Sequence, residues 1–233
     1  MPMFYYFDPL YFLFLLPALA LVVATQIWVK SSYNRYSKIY NRRGLTGCDA
    51  ARIVLEAAGL SHVRIEMVDG RLSDHYDPRA NVIRLSREVY LTPSIASVGI
   101  AAHEAGHAVQ YATGYAGIKA RRAILPLSSY GPSLGGLILV LGAAFNFPVL
   151  IYGGLILFSF AFLFQLVTLP VEFNASRRAL ASIKESGMLG EEERAGAKKM
   201  LTAAAMTYVA AMLQSLLTLL YYIIRFTGGN RRE

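Results

Sequence analysis

Charged residues vanish from three stretches of the chain: 20 residues at 10–29, 49 at 123–171 and 25 at 200–224. A helix crosses a hydrocarbon core with about 20 apolar residues. The first and third stretches are each one crossing. The middle one holds two, reversing near Asn146-Phe147-Pro148. Four transmembrane helices are therefore expected. The first is too long for a signal-peptide core and has no Lys or Arg before it, so it reads as a retained anchor.

Between these stretches the periodicity changes. In "LTGCDAARIVLEAAGL" the apolar positions Ala50, Ile53, Val54 and Ala57 recur at helical spacing. Thr46 supplies an N-cap, Asp49 follows three residues on, and Gly59 closes the helix. "HVRIEMVDG" alternates instead, placing Val63, Ile65 and Met67 on one face of a strand. "RLSDHYDPRANVIRLS" reads as two hairpin arms about an Asp77-Pro78-Arg79-Ala80 turn. A small antiparallel sheet is thus expected over residues 63–86. Thr92-Pro93 then opens a helix running to about Gly114, with Thr as cap and Pro in the first turn. That helix is apolar nearly all round apart from the histidine motif, so it must be buried in protein or at the membrane face.

The fold class is a mainly α integral membrane protein, with four transmembrane helices and a compact α+β domain carrying a small antiparallel sheet. It divides into an anchor at 1–29, a soluble-facing domain at 30–128, two membrane helices at 129–171, a helix at 172–199, and a fourth membrane helix with its tail at 200–233. Only 16% of residues are charged, below the usual quarter, while 55% are hydrophobic. The net charge of +8 is mostly juxtamembrane and suits topology and anionic lipid. No aromatic-basic pattern argues for nucleic acid. One cysteine, Cys48, excludes an internal disulfide and fits a reducing compartment.

Residues 1–9 hold no Lys or Arg, whereas Lys30, Arg35, Lys38, Arg42 and Arg43 follow the first crossing. The positive-inside rule then puts the N-terminus outside and residues 30–128 in the cytosol. Lys119, Arg121 and Arg122 agree, as do Arg177, Arg178 and Lys184 in the next inner segment. Arg225, Arg231 and Arg232 pull the other way.

The chemistry-bearing stretch is "IAAHEAGHAVQY". On a helix, positions i and i+4 face the same way, so His103 and His107 can present two imidazoles to one ion. Glu104 sits beside them as a base rather than a ligand, the H-E-x-x-H arrangement. A catalytic zinc needs a third protein ligand and an open position. No histidine follows His107, so the third ligand must be a carboxylate. Glu172, in "LPVEFNASRRAL", is the first downstream, whereas the acids from Glu185 to Glu193 form a solvated charge run. Glu172 shares a helix face with Ala175, Ser176 and Ala179, small enough for close approach at Gly106. Two crossings separate His107 from Glu172, which returns them to one side.

"SDHYDPRANVIRLS", "AAHEAGHAVQ" and "LPVEFNASRRA" together resemble the bacterial membrane-bound zinc metallopeptidases of the YugP type, zinc peptidase family 2. The resemblance covers nearly the whole chain. It implies a neutral zinc-dependent endopeptidase of the plasma membrane with a gluzincin-like catalytic domain. A more distant similarity is to the HtpX and CAAX-prenyl-protease group, whose third ligand lies in an E-x-x-x-D pattern. Here Ser176, not Asp, stands four residues after Glu172. Asn174 and Ser176 are the candidates for orienting the metal-bound imidazoles.

The expected reaction is peptide hydrolysis by metal-activated water. Glu104 takes the proton and returns it to the leaving amine. His75, Tyr76 and Arg177 are candidates for stabilising the carbonyl oxygen. His75 has two other readings, a fourth ligand or a hairpin-surface residue. His62 starts a strand, and Ser128 and Ser129 have no base. "NVIRLS" is either an edge that pairs with an extended substrate or a strand that closes the core. The expected cofactor is one Zn2+ per chain. The expected partners are the lipid bilayer and a polypeptide substrate. A regulatory membrane partner or a homo-oligomer stays open. The competing class is a non-catalytic metal-binding adaptor, against which Glu104 argues. An intramembrane protease would carry an Asp-Gly late in a membrane helix, and a transporter would carry charge inside its spans; neither is present.

Overall fold

The computed structural model describes residues 8–227. In chain order it contains α1 (Pro9–Tyr36), α2 (Gly47–Ala57), β1 (Arg64–Val68), β2 (His75–Asp77), β3 (Val82–Ser86), α3 (Arg87–Leu91), α4 (Ile95–Ala112), α5 (Ala116–Ala144), α6 (Pro148–Glu185) and α7 (Glu191–Thr227). Helices α1, α5, α6 and α7 are the four among the described residues that are long and apolar enough to cross a membrane. The mainly helical membrane class follows. The reversal falls where the apolar run suggested: Asn146 adopts φ 48°, the Phe147 amide donates to the Gly142 carbonyl, and Pro148 opens α6. The α6 helix continues through Pro170 and carries Glu172 in the turn that follows.

The chain forms two compact units. Among the described residues, one takes 8–25, 120–169 and 207–227; the other takes Gln26–Lys119 and Pro170–Met206. The second unit holds every residue discussed as chemistry. Its core joins Leu55 of α2, Ile83 and Leu85 of β3, Val98, Ala101 and Ala105 of α4, and Ala179 and Ile183 of α6. The α2 helix starts at the expected capping box: Thr46 accepts from the Asp49 amide, and the Asp49 carboxylate accepts from the Thr46 amide. Gly59, at φ +71°, ends the turn that follows.

Three local expectations are corrected. The sheet is mixed, in the order β1-β3-β2: β2 and β3 form the expected antiparallel hairpin, but β1 runs parallel to β3. Consequently "NVIRLS" is the central strand, not an edge. Val82, Ile83, Leu85 and Ser86 are all buried, as a strand covered on both faces requires. The hairpin turn is made by Asp77, whose Oδ1 accepts from the Arg79 and Ala80 amides, and by Asn81 at φ 50°. Finally, Thr92-Pro93 ends the short α3 rather than opening the long helix. Ser94 is the N-cap of α4 and accepts from the Ser97 amide. Proline disfavours helix for the residue before it, so the helix restarts after Pro93.

Candidate metal centre

The α4 helix is lined with small residues. Ala101, Ala102, Ala105 and Ala108 are at most 2% exposed. This lets α6 approach so closely that a methyl group at Gly106 would lie 2.8 Å from the Ala175 carbonyl oxygen. The approach sets His103 and His107 of α4 opposite Glu172 of α6. The Nε2 atoms of both histidines lie 3.4 Å from Glu172 Oε2. The two rings meet nearly edge to face, with centroids 4.7 Å apart. Among the described residues these three form a group whose ligand atoms all lie within 4.8 Å of one another. Two imidazoles and a carboxylate are a donor set suited to zinc, with a position left for water or substrate.

Further hydrogen bonds hold the imidazoles with Nε2 toward this point. His107 Nδ1 lies 2.9 Å from Gln110 Oε1, while Gln110 Nε2 donates to the Val171 carbonyl at 2.8 Å and to Asn174 Oδ1 at 3.0 Å. A backbone carbonyl only accepts, so the amide's NH2 must face Val171 and its oxygen must face His107. His107 therefore carries its proton on Nδ1, and in the neutral ring Nε2 keeps a lone pair for a metal. Arg178 Nε donates to the same Asn174 oxygen at 2.8 Å and fixes that amide as well. On the other ring, Ser176 Oγ lies 3.1 Å from His103 Nδ1.

Glu104 lies beside the three donors and is buried, at 9% exposure. Burial, opposed by the two histidines, pushes its carboxyl pKa up. Its Oε2 accepts from the Tyr76 amide at 3.0 Å, which ties α4 to strand β2. Burial also works against the imidazolium of His107. The hydrogen bond that His107 donates to Glu172 and the charges of Glu104 and Glu172 outweigh it, and the His107 pKa is raised. Two buried carboxylates against two imidazoles are a setting that holds positive charge.

The other sequence candidates divide. Ser176 contacts a ring directly, and Asn174 acts through Gln110. Tyr76 reaches Glu104 by its backbone, while its hydroxyl donates to Asn81 Oδ1 at 2.8 Å and its ring packs edge-on against Tyr111. His75 is exposed, with Nδ1 2.7 Å from the Ser73 carbonyl, and stands outside the three-donor group. Arg177 is exposed on α6, and its neighbour Arg178 is the one bonded into the network. Gln110 and Arg178 escaped the sequence reading. Gln110 had a signal there: it lies three residues after His107, within reach on the same helix face.

Residues 11–227 match the family described as "Putative neutral zinc metallopeptidase". The chain is 43% identical over 220 residues to "Putative membrane protease YugP" of Bacillus subtilis (strain 168), covering 94% of this chain and 98% of that relative. No solved structure matches.

Proposed function

Because the chain belongs to this family of membrane zinc metallopeptidases, we propose that it is a membrane-embedded gluzincin-type endopeptidase. Its HExxH helix supplies two ligands and the general base, and its substrates are cytosolic or membrane-adjacent protein segments. One observation carries the reading: a buried carboxylate, Glu104, adjoins the His103, His107 and Glu172 donors without being one of them. A structural metal site has no use for such a group.

His103, His107 and Glu172 would hold one zinc per chain. Bound there, zinc supplies Lewis-acid polarisation and acidifies water. Glu104 accepts the attacking water's proton on the carboxylate oxygen not engaged by Tyr76, then delivers it to the departing amine. Gln110 and Ser176 keep the rings from turning, and the Tyr76 amide keeps Glu104 from swinging out. With β3 central, β2 is the edge strand beside Glu104, and an extended substrate segment would align there.

The Bacillus subtilis relative is named a membrane protease, and four helices among the described residues are long and apolar enough to cross a membrane; the plasma membrane and the cytosolic side are our assignment. It rests on five Lys and Arg between positions 30 and 43 against none in 1–9. The test of function is hydrolysis of a diverse peptide mixture by purified protein, with products mapped by mass spectrometry. Cleavage should be chelator-sensitive, restored by zinc, and slower by roughly 10²-fold or more in Glu104→Gln. Equal cleavage by Glu104→Gln would remove the base, and no cleavage by the metal-loaded wild type would favour an adaptor.

A further inference from the structure

A cavity of about 390 Å³, with Ile27, Val29, Lys30, Asn34, Arg71 and Leu72 in its lining, shares no lining residue with the metal centre. We propose that it is a binding site for the phosphate headgroup of an anionic phospholipid. Four observations meet there.

The first is position. The charge-free stretch of 10–29 ends at Lys30, so the cavity lies where the hydrocarbon gives way to headgroups. The chain's one tryptophan, Trp28, stands at the same level of α1 and is exposed. The second is charge. Lys30 is exposed and its ammonium has no ion pair or hydrogen bond among the described residues. The third is a pre-set guanidinium. Arg71 donates to Asn34 Oδ1 at 2.8 Å, lies 3.4 Å from Glu88 and covers the Tyr33 ring at 5.2 Å. Five donors outnumber these partners, so the fork is oriented and still has N–H groups for a phosphate.

The fourth is Leu72. It holds a left-handed backbone at φ 57° and leaves its side chain 47% exposed. That conformation is unfavourable for a leucine, yet it puts an apolar side chain beside Ile27 and Val29, where an acyl chain would begin. Inorganic phosphate would satisfy Lys30 and Arg71 but would leave Leu72 facing water. This favours the lipid over free phosphate.

The loop that carries Arg71 and Leu72 runs directly into β2, whose Tyr76 amide holds Glu104. A headgroup in the cavity would steady that loop. Any effect on catalysis rests on the function proposed above; the binding itself does not.

The test uses full-length protein in bilayers of phosphatidylcholine with increasing brominated phosphatidylglycerol, reading quenching of Trp28. Wild type should take up phosphatidylglycerol in preference to phosphatidylcholine. Lys30→Gln, which breaks no ion pair or hydrogen bond among the described residues, should reduce that preference about fivefold, the weight of one cation at an anionic surface. Lys30→Gln with Arg71→Gln should bring it to the bulk ratio. Added inorganic phosphate should leave the quenching unchanged. No preference in wild type, a preference kept by the double variant, or displacement by millimolar phosphate would each overturn the proposal.

Discussion

Replacing Gly106 by alanine sets a methyl carbon 2.8 Å from the Ala175 carbonyl oxygen, where ordinary contact begins at 3.4 Å. The neighbour is helix backbone and cannot rotate away, so α4 and α6 must separate by about 0.6 Å, the difference of those distances. Catalytic and ligand geometry tolerates roughly 0.5 Å. The displaced group is Glu172, three residues before Ala175 on the same rod. Overpacking of this kind costs about 1–3 kcal/mol, and the gain in helix propensity from glycine to alanine returns about 1 kcal/mol. The variant should therefore fold, with at most about 2 kcal/mol lost. Its zinc affinity should fall on the order of 10- to 100-fold, the range seen when groups supporting a metal's ligands are disturbed. Competition with a chromophoric chelator measures this in detergent. Gly153→Ala, with nothing within 4 Å of the new methyl, is the control and should bind zinc as wild type does. A Gly106→Ala protein with unchanged affinity would refute the idea that the α4–α6 approach sets the site.

Removing Gln110 as Gln110→Ala frees His107 and should weaken zinc binding about tenfold or more; an affinity equal to that of wild type would contradict the network. Glu104→Gln should keep its metal while activity drops by roughly 10²- to 10⁴-fold, read as turnover on the best peptide found. The Asp77 carboxyl is held below its ordinary 3.8, chiefly by the Arg84 hydrogen bond and the Arg79 and Ala80 amides. A depressed pKa gives stability present above the ordinary value and lost as pH falls below it. Protection of the β2 and β3 amides against exchange, taken relative to the intrinsic rate at each pH, should therefore fall below about pH 4, and less so in Asp77→Asn. In a Cys48→Ser background, a cysteine at Ser37 should resist an impermeant reagent on intact cells and react after lysis; the reverse would move the catalytic face outside.

The membrane helices and the site elements were legible for simple reasons. Long charge-free runs have few other solutions, and an i,i+4 histidine pair must share a helix face. Thr46 and Asp49 announced their capping box by type and spacing. Strand pairing was not legible, because a strand buried on both faces loses the alternation that marks an edge, and "NVIRLS" was short enough to read either way. The start of α4 was misjudged because Thr92-Pro93 satisfies the rules for a helix start as well as those for a helix stop. Gln110 was hidden by its neutrality, since nothing in its type marks it until Val171 and His107 are seen on either side of the amide. Arg177 and Arg178 are alike in sequence, and only the turn of α6 separates the exposed one from the one bonded to Asn174.

The central claim is that His103, His107 and Glu172 are the three protein ligands of one zinc. Elemental analysis of purified, dialysed protein tests it most directly, comparing wild type with Glu172→Ala and Glu185→Ala. Wild type and Glu185→Ala should each hold one zinc per chain, and Glu172→Ala well below one. A full equivalent of zinc in Glu172→Ala, held as tightly as in wild type, would contradict it.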